Sequence, residues 1–148
     1  MYGMKIKIIK LRPNAILPKY QTKHSAGMDL HAAIDEPIVL KQRDIYAVPV
    51  GIAVGIPEGY EMQVRGRSGL ALKHGVAPAA GVGTIDADFR GEIHAILINN
   101  GKSDFVINPG DRIAQAIIAK YEKAVWQEVK ELNDTERGVK GFGSTGKN

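Results

Sequence analysis

Turn-forming residues interrupt this sequence so often that they exclude long helices. Seventeen Gly and seven Pro separate short runs rich in Ile, Val and Ala. Pro breaks a helix interior and Gly weakens it, whereas both suit the tight turns between strands. We therefore predict an all-β protein whose nine short strands form a jelly-roll-like sandwich or barrel. The predicted strands are residues 4–9, 38–40, 44–48, 51–55, 60–64, 92–99, 104–107, 112–118 and 125–129.

The chain has the length of one domain, because 148 residues that are 44% hydrophobic can build a single core. The absence of Cys excludes a disulfide framework, a thiolate nucleophile and a cysteine zinc site. No stretch approaches the roughly 20 apolar residues of a membrane helix, and the first residues do not have the pattern of a signal peptide. We expect a soluble, cytoplasmic protein with no membrane partner.

One short helix is predicted at residues 68–75. Ser68 can cap its start, Lys73 and His74 suit its carbonyl end, and Gly75 can adopt the left-handed conformation that ends it. From residue 133 onward the sequence has almost nothing to bury. We therefore expect a folded β domain at residues 1–132 and a flexible C-terminal arm at residues 133–148.

Positive charge is concentrated at the beginning of the chain, where six Lys and Arg fall within residues 1–24 without an acid among them. Three interpretations remain open at this point. The charges could bind nucleic acid, they could lie on the solvated face of a strand that alternates with period two, or they could attract a small polyanion.

Residues 141–146 satisfy the pattern GxGxxG, but they end the chain instead of joining a strand to a helix. A dinucleotide-binding or P-loop turn is therefore excluded. The glycine-spaced N–H groups, two hydroxyls and Arg137 would nevertheless suit a triphosphate if the arm closed over it. The alternative is a disordered polar terminus.

Two further segments carry chemistry. Arg67 and Ser68 stand at the start of the predicted helix, where an anion is favoured, although a serine there is often only a cap. Asp86 and Asp88 would project to one side of an extended segment and suggest a general base or a cation site. The alternative for this pair is a turn in which the aspartates bond to their own backbone.

These segments together closely resemble the five ordered motifs of the trimeric deoxyuridine triphosphate nucleotidohydrolases, or dUTPases. The resemblance covers nearly the whole chain, from residue 26 to residue 146. The matching stretches are Ala-Gly-Met-Asp-Leu at 26–30, Arg-Ser-Gly-Leu-Ala at 67–71, residues 83–92, Gly-Asp-Arg-Ile-Ala-Gln at 110–115, and residues 137–146.

The resemblance implies a jelly-roll-like fold and a homotrimer whose active sites are each assembled from several subunits, with the arm of one chain closing over a site. It implies Mg²⁺-dependent hydrolysis of dUTP to dUMP and pyrophosphate, with water attacking the α-phosphorus. Such an enzyme limits uracil incorporation into DNA and supplies dUMP for thymidylate synthesis.

The resemblance also implies residue roles on the phosphate side. Asp86 would be the general base that activates the water. Ser68 would contact the oxygen that bridges the α and β phosphates, and Arg67, the Gly69 N–H and Gln115 would hold the phosphate chain. Mg²⁺ would be bound chiefly by phosphates and waters, with Asp29 touching it through water.

On the base side, the resemblance implies that peptide groups of a hairpin at Ala80, Gly81, Thr84 and Ile85 read the uracil edge. Phe89 would lie under the deoxyribose and exclude a 2′-OH, and His94 would fall near the base or else face solvent. In the arm, Phe142 would stack on uracil beside Gly143. Arg137, Ser144 and Thr145 would reach the γ-phosphate.

Two rival functions remain. A deoxycytidine triphosphate deaminase would share the fold but needs a catalytic glutamate, for which Glu92 is the candidate. A non-catalytic nucleotide- or nucleic-acid-binding module would use the basic first 24 residues and would bind DNA in a strongly salt-dependent way. The set of Asp86, Ser68, Arg67 and Gln115 argues against a simple binder, and we expect no nucleic-acid partner.

Overall fold

A computed structural model describes residues 3–147, and in this part of the chain it contains eleven strands and one helix. The elements are β1 (Lys7–Lys10), β2 (Met28–His31), β3 (Ile38–Leu40), β4 (Ile45–Pro49), β5 (Ile52–Gly55), β6 (Tyr60–Arg65), α1 (Ser68–His74), β7 (Val76–Pro78), β8 (Gly83–Ile85), β9 (His94–Asn99), β10 (Phe105–Ile107) and β11 (Arg112–Lys120). The all-β prediction with one short helix is confirmed.

The strands form four antiparallel sheets that pack as a sandwich. The largest has the order β2-β11-β6-β8, a second has the order β4-β9-β7, and β1-β5 and β10-β3 form two-stranded sheets. Ile, Leu, Val and Ala from all four sheets fill one continuous core, in which Leu30, Ile52 and Leu97 are fully buried. The buried pattern alternates along β9, as expected for a strand with one face on the core.

The predicted strand at 125–129 is wrong. The chain leaves the large sheet after Tyr121, whose N–H donates to the Gly59 carbonyl, and residues 122–147 form neither helix nor strand. The sequence there has strand-forming residues, but within residues 3–147 no neighbouring strand pairs with it. Val125 and Trp126 are therefore each 94% exposed.

Three strands that the sequence did not predict are β2, β7 and β8. They contain Asp29, His31, Pro78, Gly83 and similar residues that disfavour strands locally. Hydrogen bonds to a longer neighbouring strand stabilise each of these three strands despite their weak intrinsic preference. β2 pairs with β11, β7 with β9, and β8 with β6. Tertiary context therefore overrides local preference here.

Helix α1 spans Ser68–His74 and ends at Gly75, whose φ of 66° is left-handed as predicted. The predicted cap is wrong by one residue. Arg67 occupies the N-cap position with extended backbone and without a side-chain cap bond, and Ser68 is the first helical residue. Its hydroxyl is therefore not used for capping. In the described part of the chain, no helix is long and apolar enough to cross a membrane.

The turn after β9 is built around Asn99, the one fully buried polar residue among those described. Its amide nitrogen donates to the carbonyl oxygens of Leu40 and Ser103, each at 2.9 Å, and its Oδ1 accepts the Gly101 N–H. Gly101 must lack a side chain, because a Cβ there would lie 2.1 Å from the His74 carbonyl oxygen. The hydrogen bonds of Asn99 and the close approach of Gly101 to His74 therefore connect the end of α1 to the β10–β3 sheet.

Candidate active site

Strand β11 brings together three of the motifs seen in the sequence. Gln115 in β11 lies in register with Asp29 of β2 on one side and with Arg65 of β6 on the other. Arg65 ends β6, and only Gly66 and Arg67 separate it from α1. Residues separated by up to 86 positions in sequence therefore converge at one edge of the large sheet. The pocket at this edge is lined by Gln21, Ser25, Ala26, Gly27, Asp29, Arg67, Ser68, Gly69, Arg112, Gln115 and Ile117.

Arg112 also lines this pocket, a role that its short sequence motif did not predict. In a regular strand, Arg112 and Gln115 would point to opposite faces because they are three residues apart. The pairing of β11 with β2 shifts register between Arg112 and Ala114. Such a bulge re-aims a side chain, so both residues reach the same pocket. The short motif that contains Gln115 also contains Arg112, but nothing in its residue types predicts the bulge.

Asp29 lies between two guanidinium groups. Its Oδ1 is 3.4 Å from Arg67 Nε and its Oδ2 is 3.4 Å from Arg112 Nη1, while its side chain is only 12% exposed. Arg67 is further held by donating from Nη1 to the Arg112 carbonyl at 3.1 Å. Two cations against one carboxylate leave a net positive site, which favours an anionic ligand such as a phosphate chain.

Gln115 ties the first and second motifs together. Its Nε2 donates to the Gly66 carbonyl at 2.8 Å. Its Oε1 packs against Gly27 so closely that a Cβ at residue 27 would lie 2.1 Å from that oxygen. Residue 27 must therefore be Gly because the Gln115 side chain leaves no room for a Cβ, and not because its backbone conformation demands Gly.

Asp86 lies in a different pocket of the same chain. It is exposed and lines that pocket with Glu58, Glu61 and Asp88 among other residues. Ile85 pairs with Met62, so Asp86 follows at the level of Glu61, whereas Arg67 lies beyond the other end of β6. The strand rise places the levels of Glu61 and Arg65 about 13 Å apart. A single chain therefore does not bring Asp86 to Arg67, Ser68 and Gln115.

The expected base-reading residues lie on the connection between β7 and β8. Ala80 and Gly81 stand in the turn, and Thr84 and Ile85 belong to β8. β7 pairs with β9 and β8 pairs with β6, so the two strands do not form a hairpin with each other. Gly81 has a φ of 78°, and no atom lies within 4 Å of the position its Cβ would take. The backbone is therefore open to close approach at this turn.

Phe89 and His94 flank Glu92. Phe89 is 42% exposed, and its ring covers Gly91, where a Cβ would lie 2.6 Å from the ring. His94 faces Glu92 with both nitrogens, Nδ1 at 3.1 Å from the Glu92 carbonyl and Nε2 at 3.3 Å from Oε1. Arg12 forms two hydrogen bonds to the Glu92 carboxylate, at 2.7 and 2.9 Å, which lower the pKa of Glu92.

Among residues 3–147, the hydrogen bonds of the arm residues are all formed within the arm. Arg137 Nε donates to the Lys140 carbonyl at 2.9 Å, and the N–H of Ser144 donates to the Gly141 carbonyl. The Phe142 side chain is fully exposed and its φ is 51°, in the left-handed region. Gly143 and Thr145 belong to the same exposed segment. The structure does not bring these residues to either pocket of their own chain.

His31 lies two residues after Asp29 on β2, in register with Arg112. Its Nδ1 is buried and has no hydrogen-bond partner among the described residues. Burial lowers the pKa of His31, because the charged imidazole would lose its hydration.

The donor set around Asp29 fits a metal that arrives with a ligand. No group of three or more His, Asp or Glu side chains that could hold a metal occurs among residues 3–147. Both Asp29 oxygens already face guanidinium groups. A hydrated Mg²⁺ carried on phosphate oxygens needs only one or two protein carboxylates, and this arrangement offers Asp29.

Comparison with known proteins gives a consistent result. The family model described as dUTPase matches residues 13–146. The deoxyuridine 5′-triphosphate nucleotidohydrolase of Rickettsia felis is 57% identical over 142 residues, which cover 95% of this chain and 96% of the relative. That of Rickettsia canadensis is 58% identical over 130 residues, or 88% of each chain.

Solved structures agree. A mutant of the Staphylococcus bacteriophage 80alpha dUTPase with dUpNHpp is 27% identical and superposes with a TM-score of 0.89, covering 97% of this chain and 99% of the other. A dUTPase mutant from phage phi11 of S. aureus, which coordinates a structural Mg(II) ion, has 25% identity and a TM-score of 0.79 over 86% of this chain and 98% of the other. With the motif residues assembled as described, these likenesses show that the chain belongs to the dUTPase family.

Proposed function

We propose that this protein hydrolyses dUTP to dUMP and pyrophosphate with Mg²⁺, by attack of water on the α-phosphorus. The observation that carries the proposal is the cationic pocket formed by Arg67, Arg112 and Asp29 beside Ser68 and Gln115. Such a pocket suits a triphosphate, and the related phage 80alpha dUTPase binds the analogue dUpNHpp. In the cell, the reaction would limit uracil in DNA and supply dUMP for thymidylate synthesis.

Each residue of the site has its own role in binding or hydrolysing the triphosphate. Arg67 and the Gly69 N–H hold phosphate oxygens, the Ser68 hydroxyl faces the oxygen between the α and β phosphates, and Gln115 orients the chain of phosphates. Mg²⁺ bound with the substrate would neutralise charge on the triphosphate, and Asp29 is the residue that would hold it, through water. Asp86 accepts the proton of the attacking water.

Separation of Asp86 from the Arg67 pocket supports a homotrimer whose sites combine residues of different chains. The reaction requires both groups within hydrogen-bond reach of one phosphate, and one chain leaves them in two pockets. Exposed apolar side chains support the same proposal. Val125, Trp126 and Leu132 are 85–94% exposed, more than a segment facing only water usually carries. A solution mass of three chains is the expected result of sedimentation analysis.

The arm at residues 133–148 would act as a lid on a neighbouring chain. Phe142 is fully exposed in the single chain and is available to stack on uracil, while Arg137, Ser144 and Thr145 reach the γ-phosphate. Base selection would come from peptide groups at Ala80, Gly81, Thr84 and Ile85, with Phe89 under the sugar and His94 near the base. Closure would exclude bulk water and hold the reacting geometry.

The decisive test compares pyrophosphate release from dUTP, dTTP, dCTP and UTP with Mg²⁺, for the natural chain and for Asp86→Asn. Activity confined to dUTP is expected, with a loss of at least about 100-fold in the variant because an amide is a far weaker base. A matched control is Asp88→Asn, which removes a carboxylate from the same pocket and should retain activity. Equal use of dTTP, or full activity in Asp86→Asn, would reject the proposal.

The deaminase alternative is disfavoured by the surroundings of Glu92. A catalytic glutamate must be available to the base, whereas both Glu92 oxygens are bound by Arg12. Release of ammonia from dCTP in the same assay would contradict this interpretation.

A further inference from the structure

Residues 86–90 form a loop that is held together by its own hydrogen bonds. The Phe89 N–H donates to the Asp86 carbonyl, and Arg90 donates to the carbonyl oxygens of Ala87 and Phe89. The Phe89 ring covers Gly91. The loop is therefore a small internally bonded unit, and we expect its orientation to depend on the two joints that connect it to the sheets.

The joint before the loop is a strand, since Ile85 ends β8 and is paired with Met62. The joint after the loop is Gly91–Glu92, followed by the fully buried Ile93. Ile93 is fixed by donating to the Ile52 carbonyl and accepting from the Val50 N–H, both at 2.9 Å. Only Gly91 and Glu92 separate this rigid point from the loop, and Gly91 is the most permissive residue for backbone rotation.

Arg12 holds Glu92 at this joint. The two side chains form a fork of two hydrogen bonds, 80 residues apart in sequence. Arg12 is itself anchored on the β4–β5 turn, because the Leu11 N–H donates to the Gly51 carbonyl and the Arg12 Cβ packs against Gly51. The same carboxylate lies 3.3 Å from His94 Nε2. Glu92 therefore links the N-terminal segment, the loop and His94.

We infer that Arg12, acting through Glu92, is a positioning residue that sets the orientation of the loop carrying Asp86 and Phe89. The inference rests on the proposed function for its catalytic consequence. A bidentate guanidinium–carboxylate pair is directional, so it fixes geometry even where an exposed ion pair adds little to stability. A misplacement of about 1 Å at reacting groups can lower a rate by about 100-fold.

The test uses the full chain with Arg12→Ala, Glu92→Gln and the double variant, with Lys10→Ala as the control that removes a positive charge from the same segment. In each single variant we expect kcat for dUTP to fall at least about tenfold and the preference for dUTP over UTP to weaken, because Asp86 and Phe89 both shift. The double variant should be no worse than the worse single variant, since the pair acts as one unit. Lys10→Ala should match the natural chain.

Amide hydrogen exchange of the peptide spanning residues 86–93 provides a readout independent of activity. Exchange should become faster in Arg12→Ala and Glu92→Gln and stay unchanged in Lys10→Ala. If the natural chain releases no pyrophosphate from dUTP, the proposed function fails, while the exchange measurement still tests the positioning. Unchanged exchange and kinetics in both single variants, additive losses in the double variant, or losses that merely follow a fall in melting temperature would each overturn the inference.

Discussion

Substitution of Gly27 by Ala tests whether the close contact between the first motif and Gln115 organises the site. An added Cβ would lie 2.1 Å from Gln115 Oε1 and 3.0 Å from its Cδ. Carbon and oxygen atoms in contact lie about 3.3 Å apart or more, so the side-chain amide must move by roughly 1 Å. The φ of Gly27 is not left-handed, so backbone strain adds nothing to the effect.

The displacement has two consequences. Moving Gln115 breaks its 2.8 Å hydrogen bond to the Gly66 carbonyl, which costs about 1 kcal/mol. Crowding at a packed position adds about 1 kcal/mol more. Together these lower the melting temperature by about 4–8 °C. Turnover should fall more severely, by about 100-fold, because Gln115, which we propose holds the phosphate chain, is displaced by roughly 1 Å.

Thermal denaturation at fixed protein concentration and pyrophosphate release from dUTP measure the two effects. Gly55→Ala is the matched control, because its added Cβ would make only ordinary contacts with Lys7, at 3.6 Å from the Cβ and 3.9 Å from the carbonyl oxygen. Gly27→Ala combined with Gln115→Ala should recover the melting temperature of Gln115→Ala alone, since the clash is then removed. The reasoning is refuted if Gly27→Ala keeps full turnover, or if the double variant is as unstable as the sum of both single variants.

Three further predictions follow from the structure. A chain ending at Leu132 should keep its melting temperature within a few degrees, because the hydrogen bonds of residues 133–147 are formed within that segment. It should lose at least about 100-fold in dUTP turnover, because the proposed lid is absent. A large loss of stability would contradict the lid hypothesis. The pKa of His31 is lower in the folded chain than in the unfolded chain, so protonation favours unfolding as the pH falls below 6.5. In urea titrations the natural chain should therefore lose stability relative to His31→Phe over this range. The same pH dependence of the unfolding free energy in both proteins would contradict this prediction. Asn99→Ala should lower the free energy of unfolding by about 2–4 kcal/mol in urea titrations, because it removes three hydrogen bonds within a buried turn, whereas the exposed Asn100→Ala should have little effect.

Local chemistry explains which elements were predictable from sequence. β11 and β9 are long enough and apolar enough to be predicted from alternation, and α1 with its Gly75 stop follows from helix-end preferences. β8 was not predictable, because it begins with Gly, which disfavours strands, and three residues are too few to show alternation. Pairing with β6 is what makes it a strand. The reverse holds at residues 125–129, where strand-forming residues have no partner in the described chain.

The candidate site shows the same division. Arg67, Ser68, Asp29 and Gln115 were identified from short motifs, and the structure places all four in one pocket. Arg112 was missed because its role depends on a bulge, which is a property of strand pairing and not of residue type. Arg12 was missed because its partner Glu92 is 80 residues away. The roles proposed for Asp86 and for the arm residues remain predictions.

The sequence by itself therefore determined the all-β class, the single short helix and the residue types that line the proposed phosphate pocket, since turn residues, alternation and charge act over a few neighbouring positions. Only the tertiary structure decided that Asp29 lies between two arginines and that Asp86 lies in a pocket apart from Arg67. These facts depend on register between strands distant in sequence, and register is set by how whole faces pack onto one core.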